Sequence, residues 1–165
     1  MKKLILVPAI LGMVLTSIPV FAAQQTGPLT VSMAVNARAK LTLGVSAINF
    51  PDADPDTTPS IAATENPVSV TAKVRTGASS TATLTHLAGG DLTSAGNTIA
   101  ISNVTWTATG TGYVAGTMDR TTPQTAGSWT GSGNYSGTFS FFIVNSWSYV
   151  VGDYTVSTTY TLTAP

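Results

Sequence analysis

Residues 27–45, GPLTVSMAVNARAKLTLGV, alternate between apolar and mostly polar side chains over a longer stretch than one ordinary strand needs. Every second residue from Leu29 to Val45 is apolar, which is the period of a strand with one buried face. These seventeen residues would extend to roughly 55 Å, whereas ordinary strands span about 17–20 Å. The stretch therefore predicts a strand that is longer than a small domain can use.

Three explanations for this long alternation stay open. A single strand could bend and serve two sheets, or the alternation could be an accident within a leader segment. The segment could also be an arm that leaves its own domain and adds a strand to a neighbouring subunit, with residues 36–38 as the joint. The arm would then insert four alternating apolar side chains: Leu29, Val31, Met33 and Val35.

The first 22 residues have the pattern of a secretory signal peptide. Lys2 and Lys3 precede the apolar run LILVPAILGMVLTSIPV, and the small residues Val20 and Ala22 predict cleavage after Ala22. Removing this segment leaves five basic and seven acidic residues, a net charge of about −2, which argues against nucleic acid as a partner. No later stretch of the sequence is long and apolar enough to cross a bilayer.

The remainder of the chain favours an all-β fold. Helical periodicity never persists for three turns, and short β-branched runs alternate with Gly, Asn, Asp and Pro. We predict an antiparallel Ig-like or Greek-key β-sandwich over residues 37–165, preceded by an extended N-terminal arm over residues 23–36. A bulge near Ala47 would place Ile48 and Phe50 on the apolar face. Further strands are expected at 68–75, 81–87, 98–101, 104–109, 113–118, 137–145 and 154–163.

The sequence offers little for catalysis or metal binding. Cysteine is absent and His86 is the single histidine, so neither a zinc site nor a nucleophile–base–orienter set can be assembled. We expect His86 at the surface or at the end of a strand, and we expect no enzyme activity and no cofactor. Asp52, Asp54 and Asp56 alternate like the start of an EF-hand loop, but Thr57 replaces the required glycine. A proline-braced turn is favoured over an irregular Ca²⁺ site.

Aromatic residues support a second function class. Trp129, between Gly127 and Gly131, is the best candidate for an exposed aromatic, while Trp106 alternates in phase with Val104 and is expected in the core. An exposed indole could contribute to a sugar-binding platform. The alternative to an assembling subunit is therefore a monomeric secreted binding module for a glycan or Ca²⁺.

Three stretches resemble a known family. The opening LTVSMAVNARAKLTLGVSAINF, the stretch NPVSVTAKVRTGASSTATLT and the ending GDYTVSTTYTLTAP are similar to secreted fimbrial subunits of the spore coat protein U type, the Csu-like chaperone–usher pilins. The resemblance implies an Ig-like sandwich that lacks one strand and polymerises when a neighbour's N-terminal arm supplies it. It also implies a periplasmic chaperone, an outer-membrane usher, and passage through the periplasm to the cell surface or exterior.

The resemblance also assigns roles to residues of this chain. Leu29, Val31, Met33 and Val35 become the donor residues, and the partners become copies of the chain or related subunits in a surface fibre or coat. Seven residues would line the acceptor groove: Leu41, Leu43, Val45, Tyr154, Val156, Tyr160 and Leu162. Those pilins usually carry a disulfide, and the matching positions near 41–42 and 73–74 of this chain contain no cysteine.

Overall fold

The computed structural model describes residues 26–165. The predicted signal peptide and residues 23–25 of the predicted extension lie outside the described residues. The sandwich unit runs from Ala34 to Pro165. Residues 26–37 belong to neither a strand nor a helix.

Residues 26–165 contain eleven β-strands, most of them short, as predicted for a chain with frequent turn residues. They are β1 (Arg38–Leu43), β2 (Ser60–Ala62), β3 (Val68–Arg75), β4 (Thr81–Ala88), β5 (Leu92–Ser94), β6 (Asn97–Ile99), β7 (Val104–Thr109), β8 (Gly116–Thr117), β9 (Gln124–Thr130), β10 (Gly133–Val144) and β11 (Thr158–Thr163). One 3₁₀ turn, Ile101–Asn103, precedes β7. In this part of the chain no helix has the length and apolar character that a membrane span requires.

The strands form two antiparallel sheets and a small hairpin. The first sheet has the order β1-β3-β10-β7-β8, with β2 also paired to β10, and the second sheet has the order β11-β4-β9. Strands β5 and β6 pair only with each other. The chain crosses between the two sheets five times: from β3 to β4, from β4 through the β5–β6 hairpin to β7, from β8 to β9, from β9 to β10, and from β10 to β11. These connections confirm the predicted antiparallel β-sandwich.

The core follows from the period-two patterns of two interior strands, β3 and β4. Along β3 the buried residues alternate with polar ones, and along β4 the buried residues are Ala82, Leu84, His86 and Ala88. Trp106 and Phe139 are fully buried between the sheets, so the prediction that Trp106 lies in the core is confirmed. The Trp106 Nε1 donates a hydrogen bond to the Val114 carbonyl at 2.8 Å, which satisfies its polar atom inside the core.

Strand β9 was absent from the sequence-based prediction, and its burial pattern explains the omission. Ala126 and Gly127 are consecutive and both buried, because the pairing with β4 shifts register between Leu84 and Thr85. A shift of this kind breaks the alternation on which strand prediction depends. The predicted strands at 113–118 and 154–163 were too long, since only β8 and β11 form ladders there.

The candidate groove between the sheet edges

The two sheets meet at a pair of free edges. Strand β1 is the last strand of the first sheet and β11 is the last strand of the second, and they are spatial neighbours. Within residues 26–165 no ladder joins them. Each edge therefore presents backbone N–H and C=O groups that an additional strand could pair.

A cavity of about 240 Å³ opens between these edges. Leu41, Leu43 and Val45 form one wall, and Thr158 and Tyr160 form the other. Its floor consists of apolar side chains from other parts of the sandwich: Val68, Met118, Phe139 and Phe141. Aromatic and aliphatic floor residues make this a site for apolar side chains rather than for polar ligands.

A second cavity, of about 1240 Å³, continues the first beyond the end of β1. Residues 46–55 form one wall, and residues 144–147 and 149–158 form the other. The two cavities share Ser46, Ala47, Ile48, Met118 and Thr158. We therefore treat them as one channel, the edge groove.

The lining residues of the groove show in which direction the chain runs along each wall. In the smaller cavity the segment from Leu41 to Ile48 faces Thr158 and Tyr160, whereas in the larger one Phe50 shares the lining with Tyr154 and Val156. Residue numbers increase along one wall as they decrease along the other. The first and last strands of the domain therefore run in opposite directions along the groove.

Six of the seven predicted acceptor residues line this groove. Leu41, Leu43, Val45 and Tyr160 line the smaller cavity, and Tyr154 and Val156 line the larger one. Leu162 lines neither cavity, although its side chain is half-buried and packs against the core. The floor residues were missed because Met118, Phe139 and Phe141 are distant in sequence from both walls. Only the strand order brings them beneath the groove.

The predicted donor residues are exposed. The exposed fractions are 87% for Leu29, 86% for Val31, 81% for Met33 and 57% for Val35. Four apolar side chains at every second position that all face solvent are unusual for a folded chain, because contiguous apolar surface is costly in water.

We expected His86 at the surface or at the end of a strand, and it lies on β4, two residues before that strand ends at Ala88, but not at the surface. Its side chain is fully buried on β4, directly opposite Tyr160 of β11, with the two ring centroids 4.7 Å apart. Trp106 lies on another side of the imidazole, at a centroid distance of 5.5 Å. The period-two pattern of β4 did indicate this burial, since His86 takes an inward position in phase with Leu84 and Ala88.

Burial determines the protonation behaviour of this pair. Loss of solvation lowers the pKa of His86 to about 4, and it raises the pKa of Tyr160 above its ordinary value. Both imidazole nitrogens and the Tyr160 hydroxyl are buried without a hydrogen-bond partner among the described residues. Since Tyr160 also lines the edge groove, this polar cluster lies just behind the groove wall.

Trp129 was also placed wrongly by the sequence. It is buried, its Nε1 donates to the Thr111 carbonyl at 2.8 Å, and its ring stacks on Tyr135 with centroids 5.0 Å apart. Gly127, one of the two flanking glycines that suggested exposure, instead leaves room for the indole, because a Cβ at this position would lie 2.5 Å from the ring. The exposed indole is that of Trp147, with 71% of its surface accessible.

The three alternating aspartates form a turn. The Asp56 N–H donates to the Asp54 Oδ1 at 2.9 Å, and the Thr58 N–H donates to the Asp54 carbonyl at 2.8 Å. The Asp56 Oδ1 also accepts from the Trp147 Nε1 at 3.1 Å. Across residues 26–165 no three His, Asp or Glu side chains converge as a metal site would require. Local hydrogen bonds therefore account for the geometry of this loop.

Comparison with known proteins identifies no family for this chain. No protein-family model matches the chain, and neither a curated protein nor a solved structure is significantly similar to it.

Proposed function

We propose that this protein is a structural, non-enzymatic subunit, exported to the cell surface, that assembles into a fibre or coat by strand addition. In each contact, the arm of one subunit would occupy the edge groove of the next. One observation carries the proposal. The same chain has an open apolar groove between two free sheet edges and an exposed segment with four alternating apolar side chains.

The energetics favour such an assembly. Full burial of each of the Leu29, Val31 and Met33 side chains would contribute about 1.5–3 kcal/mol. An added strand would also pair the free backbone groups of β1 or β11. An unfilled apolar groove beside unpaired strand edges is a liability for a monomer. Filling it from a neighbour would remove the liability and link the subunits in one step.

The route to the surface is part of the proposal. The signal-peptide pattern supports export, and the resemblance to chaperone–usher pilins supports a periplasmic chaperone and an outer-membrane usher as partners. Before assembly, a chaperone would cover the same groove that the arm later fills. The absence of cysteine means that burial of the arm, rather than a disulfide, would stabilise the assembled subunit.

The decisive experiment measures size. Protein sheared from native cells is run on an SDS gel, unheated and heated, beside a form lacking residues 23–36. We expect a ladder that collapses on heating and that the truncated form does not produce. A single monomer band in every lane would show that the arm closes its own sandwich or does not participate, and it would refute the fibre.

Point substitutions within the arm give a finer test. Met33→Asp would place a carboxylate in the apolar groove and should prevent the ladder, because an unpaired buried charge is costly. Thr30→Ser, in the same segment but at an intervening position, should leave the ladder unchanged. Normal fibres from Met33→Asp would contradict the proposed role of the arm.

A second candidate function rests on Trp147. Its exposed indole is held by Asp56 at 3.1 Å, and Tyr149 and Tyr154 line the same large cavity. Exposed aromatic faces next to carboxylates can bind sugars, so a monomeric glycan-binding module is the alternative. It predicts that the form lacking residues 23–36 binds a glycan array and that Trp147→Ala abolishes the binding.

A further inference from the structure

The cations of the sandwich are concentrated on one pair of strands. Antiparallel pairing of β1 and β3 places Arg38 opposite Arg75 and Lys40 opposite Lys73, and all four side chains are exposed. We name these four residues the basic patch. Like charges directly opposite each other on neighbouring strands are destabilising. Among the described residues none of the four forms an ion pair with an acidic side chain, since the ion pair recorded there is Arg120–Asp91.

The anions are concentrated around the larger cavity of the edge groove. Asp52, Asp54 and Asp153 line that cavity, and Asp56 contacts Trp147, which lines it too. All four carboxylates are exposed, and we name them the acidic rim. No basic side chain lies within ion-pair distance of them in the described part of the chain.

The two clusters lie at opposite ends of β3. Glu65 precedes β3 and accepts hydrogen bonds from both the backbone and the side chain of Asn49 at 2.7 Å. These bonds hold the start of the aspartate-bearing segment, residues 49–56, at the beginning of β3. Lys73 and Arg75 lie at the other end of this eight-residue strand. Eight strand residues span about 26 Å. The domain therefore has a basic pole and an acidic pole along the axis of the groove.

We propose that the basic patch of one subunit docks against the acidic rim of a second copy when its arm occupies that copy's groove. This inference rests on the proposed function. A surface that is complementary to a different surface of the same chain produces a head-to-tail contact, which extends into a filament when the rotation does not close a ring. Opposite charges at the two poles also accelerate encounter in the correct orientation.

Chain connectivity gives the contact a direction. Val35 precedes Arg38 by three residues, a span of at most about 11 Å. An arm that runs parallel to β1, with Val35 at the acidic end, brings the donor's Arg38 and Lys40 to the acceptor's rim. The reversed arm would instead bring them towards the acceptor's own basic patch. Charge thus selects the parallel direction relative to β1, which is antiparallel to β11.

The test uses the mature chain and compares assembly rates at 20 mM and 500 mM NaCl. Assembly is followed by light scattering and by the unheated SDS ladder. The variants are Lys40→Glu with Lys73→Glu, Asp52→Lys with Asp153→Lys, and all four changes together. Each pair alone leaves its cluster with no net charge and should slow assembly at least tenfold at low salt. The four changes together should be at least as slow, because neither cluster then attracts the other. Wild-type assembly should slow at high salt.

A matched control distinguishes the effect of a local charge contact on the assembly rate from the effect of the overall net charge. Lys40→Gln with Lys73→Gln and Ser128→Glu with Thr130→Glu each change the net charge by −2, but the second pair lies on β9. Only the first pair should slow assembly. Thermal unfolding of each variant confirms that it is folded.

The possible outcomes separate this inference from the proposed function. Subunits with either pair of substitutions that polymerise at the wild-type rate, without salt dependence, would overturn the inference and leave the donor arm intact. Equal slowing by the β9 control would also overturn it. Wild-type protein that remains monomeric at both salt concentrations would overturn the proposed function and this inference with it.

Discussion

His86 on β4 lies directly opposite Tyr160 on β11, and the two rings are 4.7 Å apart in a setting where neither imidazole nitrogen has a hydrogen-bond partner among residues 26–165. One face of this pair belongs to the core and the other supports the wall of the edge groove. The protonation state of His86 is therefore coupled to the stability of the second sheet.

Acid should destabilise the domain through His86. Its pKa is about 4 in the folded state and 6.5 in the unfolded chain. Between these values the unfolded chain binds a proton that the native state does not, so the free energy of unfolding falls as pH decreases from about 7 to 4. The full loss is about 3 kcal/mol. Urea unfolding at pH 7.0 and 4.5 measures most of this loss.

The control for this pH dependence is His86→Phe, which retains a ring but no titrating nitrogen. Its free energy of unfolding should change much less between pH 7.0 and 4.5. Glu65 and Asp119 also have lowered pKa values, because hydrogen bonds from Asn49 and Thr121 stabilise their carboxylates. The stability that these two carboxylates contribute is lost mainly at lower pH, and it is the same in the wild type and in His86→Phe. Equal pH dependence of both proteins would contradict the assignment to His86.

The Asn66 side chain connects the loop before β3 to the middle of β10. Its Nδ2 donates to the Phe141 carbonyl at 2.7 Å, and its Oδ1 accepts from the Phe141 N–H at 2.8 Å. Asn66→Ala would remove the acceptor of the Phe141 N–H, whereas the Phe141 carbonyl would keep the Ala63 N–H at 3.0 Å. The loss should cost about 1–3 kcal/mol. Asn134→Ala, at an exposed position on the same strand β10, should change stability by less than about 0.5 kcal/mol. Chemical denaturation of both variants checks this difference.

Gly116 on β8 is required by the packing of Trp106. A Cβ at this position would lie 2.5 Å from two carbon atoms of the buried indole. Gly116→Ala should therefore lower the free energy of unfolding by about 1–3 kcal/mol. At Gly90 no atom lies within 4 Å of a Cβ, so Gly90→Ala should have little effect. Similar melting temperatures for the two variants would contradict this account.

The arm and the groove can be inactivated in two separate variants. The two variants should complement each other if the arm of one subunit fills the groove of another. Met33→Asp removes the donor but leaves the groove, and Leu43→Arg blocks the groove but leaves the arm. Each variant alone should stay monomeric, whereas an equimolar mixture should form a one-to-one heterodimer, because one intact arm meets one intact groove. Size-exclusion chromatography with light scattering measures the masses.

Thr42→Arg is the matched control for the blocked groove. It adds the same side chain to β1 at the neighbouring position, which does not line the groove. Its assembly should persist, since the side chain points to the opposite face of the strand. A mixture of Met33→Asp and Leu43→Arg that remains monomeric would contradict exchange of the arm between subunits.

Strands in which buried and polar residues strictly alternate were predicted with the correct first and last residues. The sequence places β3 and β7 correctly because one face of each is buried and the other is polar, so local order reports burial directly. Strand β9 was not predictable, because a register shift buries two consecutive residues. The residues of the groove walls came from the family resemblance; alternation alone indicated only that Leu41, Leu43 and Tyr160 share the apolar faces of their strands.

The sequence by itself determined the fold class, the apolar faces of the strands and the unusual length of the N-terminal alternation, because each of these is a local, periodic property. Only the tertiary structure decided that β1 and β11 end their sheets side by side, and that Phe139 and Phe141 form the floor between them. It also decided that Trp129 is packed while Trp147 is exposed. These properties depend on which distant segments meet, and a repeating pattern within one strand carries no information about its neighbours.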